Sequence, residues 1–162
     1  YSGKGFSFMY PEDLYPISIN IKDRTFVDFY LDEYHANKAE ECLKLKSRKE
    51  VEIIEDPCGF GWLVLTVAIF INSEDDNTNF DQFIVHDSNP IENYTDLQGR
   101  QWQIVQSLPE VGSKLASLNI WTARFSSEGN NYIVEIGGPY YSSYRVNLNF
   151  VKQMLSIFSF AD

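Results

Sequence analysis

Histidine, cysteine and methionine are scarce in this sequence, with two of each among 162 residues. The histidines, His35 and His86, have neither a second histidine nor a cysteine pair at metal-binding spacing, whereas zinc needs three or four clustered ligands. Residues 75–81 alternate oxygen-bearing side chains as a calcium loop does, but Phe80 replaces its sixth-position glycine and His86 its final glutamate. The sequence therefore predicts no metal and no cofactor, and a solvated loop at 75–81.

Basic residues are also few: 13 Lys and Arg stand against 23 Asp and Glu, a formal net charge of -10. Such a charge repels phosphate backbones, so nucleic-acid binding is disfavoured. The one basic cluster, at residues 44–49, lies beside glutamates on a predicted helix and is typical of a solvated mixed-charge face. The acidity suits a soluble chain or a basic protein partner.

No apolar run approaches the roughly 20 residues of a membrane-spanning helix. The longest, Trp62 to Ile71, is too short, so no integral membrane segment is predicted. The two cysteines, Cys42 and Cys58, could form a disulfide or remain free thiols, and the sequence leaves both open. The chain begins at Tyr1 rather than Met, for which a cleaved secretion signal is one explanation.

Hydrophobic residues make up 44% and aromatic residues 15% of the chain, enough to bury a core at this length. We predict a single domain over residues 1–162. Residues 6–10 read as a first strand, and alternating apolar residues over 17–21 and 27–31 predict a hairpin. Residues 62–71 are apolar on both alternating faces, which is typical of a strand in the middle of a sheet. Gly129 marks a second hairpin between strands at 118–126 and 131–136.

Two helices are predicted beside these strands. Asn37 followed by Glu40 resembles a capping box, which predicts that a helix starts at Asn37 and runs to about Lys49. The last helix is predicted to start near Ser142 or Ser143, since either can cap it. Its apolar stripe falls at helical spacing and consists of Val146, Phe150, Val151, Met154, Leu155 and Phe158. The predicted fold class is α+β, a central antiparallel sheet flanked by helices.

The sequence offers no catalytic motif. Gly-x-Ser-x-Gly is absent, and Gly137-Gly138-Pro139 lacks the lysine of a phosphate loop, so a strand-to-helix turn is predicted there. Asp28 is the one carboxylate flanked by apolar residues within a strand. Alternation directs it away from its neighbours, which predicts exposure rather than a raised pKa. An enzyme would require a pocket that joins Asp28 or another carboxylate to His35 or His86.

Aromatic residues supply the candidate binding residues. Tyr140, Tyr141 and Tyr144 follow the glycine pair at one end of the predicted sheet. Exposed tyrosines at a loop suit contact with a protein or a sugar, because they offer area at low entropic cost. The alternative is that these rings pack over the start of the last helix.

The ends of the chain resemble PsbP-like domains. Gly5-Phe6-Ser7-Phe8-Met9-Tyr10-Pro11 looks like the start of that family, and residues 132–136 and 155–160 are similar to its last strand and closing helix. Members include thylakoid-lumen photosystem subunits, a nuclear GTPase partner and bacterial envelope lipoproteins. The resemblance implies an α/β/α sandwich that binds proteins without catalysis, with no catalytic motif to transfer. Residues 72–98 depart from the family pattern in being long and polar.

These observations and the resemblance predict a non-enzymatic binding or accessory domain of an exported lipoprotein, either extracellular or anchored in the cell envelope. Its partner is expected to be a protein, with a glycan as a second possibility. The alternative is an acidic chaperone or immunity protein of the cytoplasm that masks a basic partner. Binding of that second kind should weaken steeply with ionic strength, because exposed charges are screened by salt.

Overall fold

The structure is a computed structural model, and it describes residues 1–3, 5–21, 24–46, 63–73, 91–107, 118–139 and 145–160. Its described strands are β1 (Ser2–Gly3), β2 (Phe6–Ser7), β3 (Tyr15–Ile21), β4 (Arg24–Tyr30), β5 (Leu63–Ser73), β6 (Glu92–Thr95), β7 (Gln101–Ser107), β8 (Leu118–Ser127), β9 (Asn130–Pro139) and β10 (Ser159–Phe160). Its described helices are α1 (Glu33–Lys46) and α2 (Leu148–Ser156).

Seven of these strands form one antiparallel sheet in the order β3-β4-β5-β9-β8-β7-β6. The other three form a small sheet, β1-β2-β10, in which the closing β10 pairs with β2 near the N-terminus. The predicted first strand at residues 6–10 is shorter than expected, because pairing ends at Ser7. Phe8 lies beyond the strand and stacks on Phe158 with ring centroids 4.6 Å apart.

Both predicted hairpins are present. β3 and β4 pair in register from Tyr15 opposite Tyr30 to Ile21 opposite Arg24. Between β8 and β9 the turn consists of Glu128 and Gly129, whose φ angles are 51° and 79°. Two consecutive positive φ values are the signature of a type I′ turn, whose twist matches that of the flanking strands.

The prediction of a central strand at residues 62–71 is confirmed from Leu63 onward, because β5 lies between β4 and β9 and is buried on both faces. Leu65, Val67 and Ile69 pack in the main core, and Ala68 and Phe70 pack in a second cluster on the other face. Alternation breaks at the start of the strand, where the β4–β5 register shifts beside Tyr30. The shift is typical of a β-bulge and reverses the faces of the first residues of β5.

α2 and the segments around it cover one face of the sheet. The helix begins at Leu148, where Asn147 accepts a hydrogen bond from the Phe150 backbone N–H. The predicted start near Ser142 or Ser143 lies outside the described residues. All but two of the predicted stripe residues are in the helix; Val146 and Phe158 flank it and are buried as well. The periodic pattern therefore identified core residues beyond the helix itself.

Gly138 explains how closely the segment before α2 approaches the sheet. A Cβ atom on this residue would lie 2.9 Å from Val64 O and 2.9 Å from Val146 Cγ2. Only glycine permits that approach. The prediction of a turn at Gly137-Gly138-Pro139 is wrong, since these residues are the end of β9 and are buried.

α1 packs on the opposite face, where Ala36 and Ala39 contact Ile17 and Tyr30. The predicted capping box at Asn37 is wrong, because α1 starts at Glu33 and Asp32 accepts the His35 backbone N–H at 2.9 Å. An aspartate before the first helical residue is among the preferred N-caps. The cap was missed because the apolar pattern of this helix is weak at its start.

The predicted α+β class, an α/β/α sandwich, is wrong, since the fold is β-rich. Strands dominate the described residues, and the helices among them have 14 and 9 residues. α1 packs mainly on β3 and β4, and Leu63 of β5 belongs to the same apolar cluster. The prediction overestimated helix because the apolar stripe around α2 extends past both of its ends, and Ser159–Phe160 there is a strand.

Candidate partner-binding surface

Asp28 lies in β4 and its side chain does point away from Val27 and Phe29, yet it is buried, with 7% of the residue exposed. The predicted exposure is therefore wrong. Thr66 Oγ1 on β5 donates a hydrogen bond to Asp28 Oδ1 at 2.6 Å. Burial raises the pKa of the Asp28 carboxyl, and the Thr66 hydrogen bond opposes that rise. Alternation identified the face correctly; only tertiary packing shows that this face is covered here.

His35 belongs to a different pair. Its Nδ1 lies 2.7 Å from Asp32 Oδ2, and Asp32 also caps α1. The hydrogen bonds from the backbone and ring of His35 lower the pKa of Asp32. The groove described below is lined by neither Asp28 nor His35. His86, the other residue considered for an assembled catalytic site, lies outside the described residues.

A third carboxylate, Asp96, is the centre of a hydrogen-bonded joint between β6, β7 and α2. Its side chain is fully buried and accepts hydrogen bonds from Gln98 N, Arg100 N, Arg100 Nε and Trp102 Nε1. Arg100 Nη2 in turn donates to the carbonyls of Leu155 and Phe158 at 3.1 and 2.9 Å. Burial alone would raise the pKa of Asp96, but the bonds from Trp102 and Arg100 outweigh it and lower the pKa. Because Asp96 accepts four hydrogen bonds and Arg100 also binds the carbonyls at the end of α2, this joint holds the fold together.

Sequence reasoning did not single out Asp96 or Arg100. The available signal is the turn Asp96-Leu97-Gln98-Gly99-Arg100, in which Gly99 has a φ of 80° and donates its N–H to Asp96 O. An aspartate that binds backbone N–H groups two and four residues later is a recognisable turn residue. That the same aspartate also binds Trp102 could not be read from spacing.

A groove of about 570 Å³ lies across strands β6 to β9. Its aromatic lining residues, Tyr94, Trp102 and Phe125, alternate with polar ones along the strands and belong to the core face. The side chains that face the groove are polar: Asn93, Thr95, Gln101, Gln103, Arg124, Ser126 and Asn131. We call this surface the polar groove. Of these seven side chains Arg124 alone is charged.

A second surface forms where β3 begins and β4 ends. Because Tyr15 pairs with Tyr30, the turn before β3 and the start of α1 lie side by side. Tyr15, Leu31 and Tyr34 are exposed there, at 41%, 48% and 67%. They account for three of the six large hydrophobic residues that are exposed in the part of the chain that the structure describes.

Carboxylates border these apolar side chains. Glu12 and Asp13 belong to the turn closed by the hydrogen bond from Leu14 N to Pro11 O, directly before Tyr15. Asp32 and Glu33 follow Leu31 at the N-terminus of α1. Lys38 lies beside them, and its Nζ is 5.6 Å from the Tyr34 ring centroid. We call residues 12–15 and 31–34 the acidic–apolar patch.

Neither surface assembles the groups of a metal centre. No cluster of three or more His, Cys, Asp or Glu side chains that could hold a metal ion occurs within the described ranges. The polar groove offers hydrogen-bonding groups, and the acidic–apolar patch offers apolar area beside carboxylates. The predicted binding residues, Tyr140, Tyr141 and Tyr144, lie outside the described residues, as does the loop at 75–81.

Cys42 is disulfide-bonded in the structure and is buried within α1. Cys58, the second cysteine of the sequence, lies outside the described residues. The sequence had left both a disulfide and free thiols open. In the described part of the chain, no helix is long and apolar enough to cross a membrane.

No protein-family model and no curated protein matches this chain. The PsbP-like resemblance therefore stays a prediction.

Proposed function

We propose that this chain is a non-enzymatic binding domain that docks a protein partner on the acidic–apolar patch. The observation that carries the proposal is the grouping of Tyr15, Leu31 and Tyr34 at the surface by the pairing of β3 with β4. Tyrosine and other aromatic residues are enriched at protein interfaces, because one side chain provides a large apolar area and a polar tip. Contact with a partner would remove that area from water.

Charge supports one kind of partner. Glu12, Asp13, Asp32 and Glu33 are close in sequence to the exposed apolar side chains, and the whole chain carries a formal net charge of -10. A complementary partner surface presents Lys or Arg around an apolar centre. Like charges would repel an acidic partner, whereas a basic one would be steered to the patch.

The proposed setting is outside the cytoplasm, in an exported and envelope-associated protein. The disulfide at Cys42 supports it, because disulfides persist in oxidising compartments and are rare in the cytosol. The same bond disfavours the alternative of a cytoplasmic chaperone or immunity protein, which was suggested by the acidity alone. The disulfide therefore supports export of the protein, and the acidic charge supports a basic partner.

A pair of synthetic peptides tests the proposal. One alternates Lys with Leu, and the other replaces every Lys by Glu; binding of each to the oxidised protein is followed by fluorescence anisotropy. We expect the basic peptide to bind and the acidic peptide not to. In the Leu31→Ser/Tyr34→Ser variant we expect the affinity for the basic peptide to fall about tenfold, the loss that a central interface residue typically causes.

Leu97→Ser is the matched control, since Leu97 is 89% exposed and lies in the turn between β6 and β7. It should leave the affinity unchanged. If the Leu31→Ser/Tyr34→Ser variant binds the basic peptide as tightly as the unaltered protein, general acidity accounts for the binding and the proposed surface is wrong.

A further inference from the structure

The polar groove differs from the rest of the molecule in charge. Of the 162 residues 23 are acidic, yet none of the described side chains that line the groove is a carboxylate. Its single charge is the guanidinium of Arg124, whose Nε donates to Gln103 Oε1. The groove therefore suits a neutral ligand or one with a negative charge, and not the basic partner of the acidic–apolar patch.

Sheet geometry arranges the groove side chains as a regular array. Asn93, Gln103 and Arg124 occupy paired positions on β6, β7 and β8. Two residues further along the strands, Thr95 pairs with Gln101 and Ser126 pairs with Asn131. Neighbouring strands lie about 4.8 Å apart and side chains on one face repeat every second residue, about 6.8 Å. A ligand lying across the strands would meet a new polar side chain at each of these steps.

The amide side chains can both donate and accept hydrogen bonds. Asn and Gln each carry one acceptor oxygen and an NH₂ donor, and Ser and Thr hydroxyls act in both directions. Side chains of this type match a ligand whose own groups are also donors and acceptors at once, as hydroxyl groups are. A volume of about 570 Å³ is within the range of small-ligand sites, about 300–1,000 Å³.

We propose that the polar groove binds a short oligosaccharide, of neutral or uronic-acid units. A peptide is less suited to this face. Extended peptides are recognised by pairing with a sheet edge and by pockets for alternate side chains, whereas the side chains facing the groove are polar and the aromatic residues of the same strands face the core. Nucleic acid would require neutralisation of many phosphates, and the groove holds one cation.

The binding site is independent of the protein-binding patch. The patch is formed by the β3 end of the strand order and by α1, whereas the groove spans β6 to β9 at the other end. Loss of one binding activity therefore does not imply loss of the other.

NMR titration of the isotope-labelled full chain tests the groove. The chain is produced in a bacterial host, so that Asn93, the acceptor in Asn93-Tyr94-Thr95, carries no attached sugar. The probes are short gluco-, manno-, galacto- and chito-oligosaccharides and an oligogalacturonide. We expect at least one probe to shift the side-chain amide signals of Asn93 and Gln103 in a saturable way, with a millimolar dissociation constant.

Two matched double substitutions test whether the oligosaccharide binds in the polar groove. Asn93→Ala/Gln103→Ala removes two groove amides and should weaken binding about tenfold, because their hydrogen bonds to the ligand are lost. Asn149→Ala/Gln153→Ala removes the same chemical groups from exposed positions on α2 and should leave binding unchanged. Circular dichroism and unfolding curves confirm that both variants fold.

Each outcome either supports or overturns the proposal. Binding of the oligogalacturonide alone, lost in Arg124→Gln, supports the proposal and assigns the carboxylate to Arg124. The proposal is overturned if no probe shifts these amide signals, if both double variants weaken binding equally, or if the shifts map to residues 12–15 and 31–34 instead.

Discussion

Two buried aspartates in this protein experience opposite surroundings. Asp96, at the turn between β6 and β7, receives four hydrogen bonds, including one from the Arg100 side chain and one from Trp102 Nε1. Asp28, within β4, accepts a side-chain hydrogen bond from the neutral hydroxyl of Thr66. The pKa of Asp96 is lowered and that of Asp28 is raised, although both carboxyl groups are withdrawn from water.

The difference shows what makes burial of a carboxylate tolerable. Desolvation disfavours the charged form at both sites. At Asp96 the donors occupy both carboxylate oxygens and one donor is a cation, so the ionised form is favoured despite burial. At Asp28 a neutral hydroxyl does not offset desolvation, and protonation is favoured. Burial thus does not determine the pKa without the donors that accompany it.

The two sites also differ in what they connect. Through Arg100, Asp96 is coupled to the carbonyls of Leu155 and Phe158 at the end of α2, while Lys152 on that helix reaches Glu92 on β6 at 2.6 Å. A cation at a helix C-terminus interacts favourably with the helix dipole and with its unpaired carbonyls. Asp28 connects only adjacent strands that their backbones already hold together. Loss of the Asp96 joint should therefore have the larger consequences.

The largest expected effect is that of Arg100→Ala. It leaves Asp96 buried without its cation and removes the donors to the end of α2, so the free energy of unfolding should fall by about 3–5 kcal/mol. Urea unfolding followed by tryptophan fluorescence measures the loss. Arg145→Ala, at an exposed position before α2, is the control and should change stability by less than about 0.5 kcal/mol. Equal losses in the two variants would show that Asp96 does not depend on Arg100.

Asp96→Asn should have a smaller effect that depends on pH. Because the folded pKa of Asp96 is below its unfolded value of about 3.9, its ionisation stabilises the fold above that value, and this contribution disappears as pH falls through the folded pKa. At neutral pH the free energy of unfolding of the variant should be about 2 kcal/mol lower, which is within the range for hydrogen bonds to a charged group. The free energies of unfolding of the variant and of the unaltered protein should converge as the pH is lowered from neutral to acidic. A difference that stays constant would contradict the lowered pKa of Asp96.

Asp28→Asn should have the smallest effect and the opposite sign. The pKa of Asp28 is higher in the folded state than in the unfolded state. Its contribution to the stability of the fold is therefore complete below the unfolded pKa and is lost as pH rises through the folded pKa. Asparagine keeps an acceptor for Thr66 and never ionises. We expect the free energy of unfolding of the variant to exceed that of the unaltered protein by up to about 1 kcal/mol at neutral pH, and the two to be equal in acid.

Thr66→Val sharpens this last comparison, because it removes the one hydroxyl bound to Asp28 while preserving side-chain shape. It should destabilise the unaltered protein by about 1 kcal/mol. If Asp28→Asn instead lowers stability at neutral pH, the carboxylate is ionised in the folded state and the contrast with Asp96 fails.

Much of the sheet could be predicted from local sequence. The β8–β9 hairpin follows from Gly129, and the central place of β5 follows from apolar residues on both of its faces. The helices were predicted less well. α1 starts at Glu33 because Asp32 caps it, whereas Asn37 merely resembles a cap. The apolar residues around α2 belong to the core, but Val146 and Phe158 pack there from outside the helix.

Neither of the two proposed binding surfaces was predicted from the sequence. Tyr15 and Leu31 are separated in the chain and come to the same end of the sheet because Tyr15 pairs with Tyr30, and the side chains of the polar groove come from four strands. Each member is an ordinary surface residue when read alone. Local patterns do not contain such groupings, because they depend on which strands pair and in which register.

The sequence by itself determined the acidity of this protein, its hairpins and the strand at the middle of its sheet, because charge, turn geometry and alternation are properties of neighbouring residues. Only the tertiary structure decided that Asp28 is covered, that Asp96 is held by Arg100 and Trp102, and which polar and apolar side chains share a surface. These outcomes depend on contacts between segments distant in the chain, where desolvation and the supply of donors are set by packing.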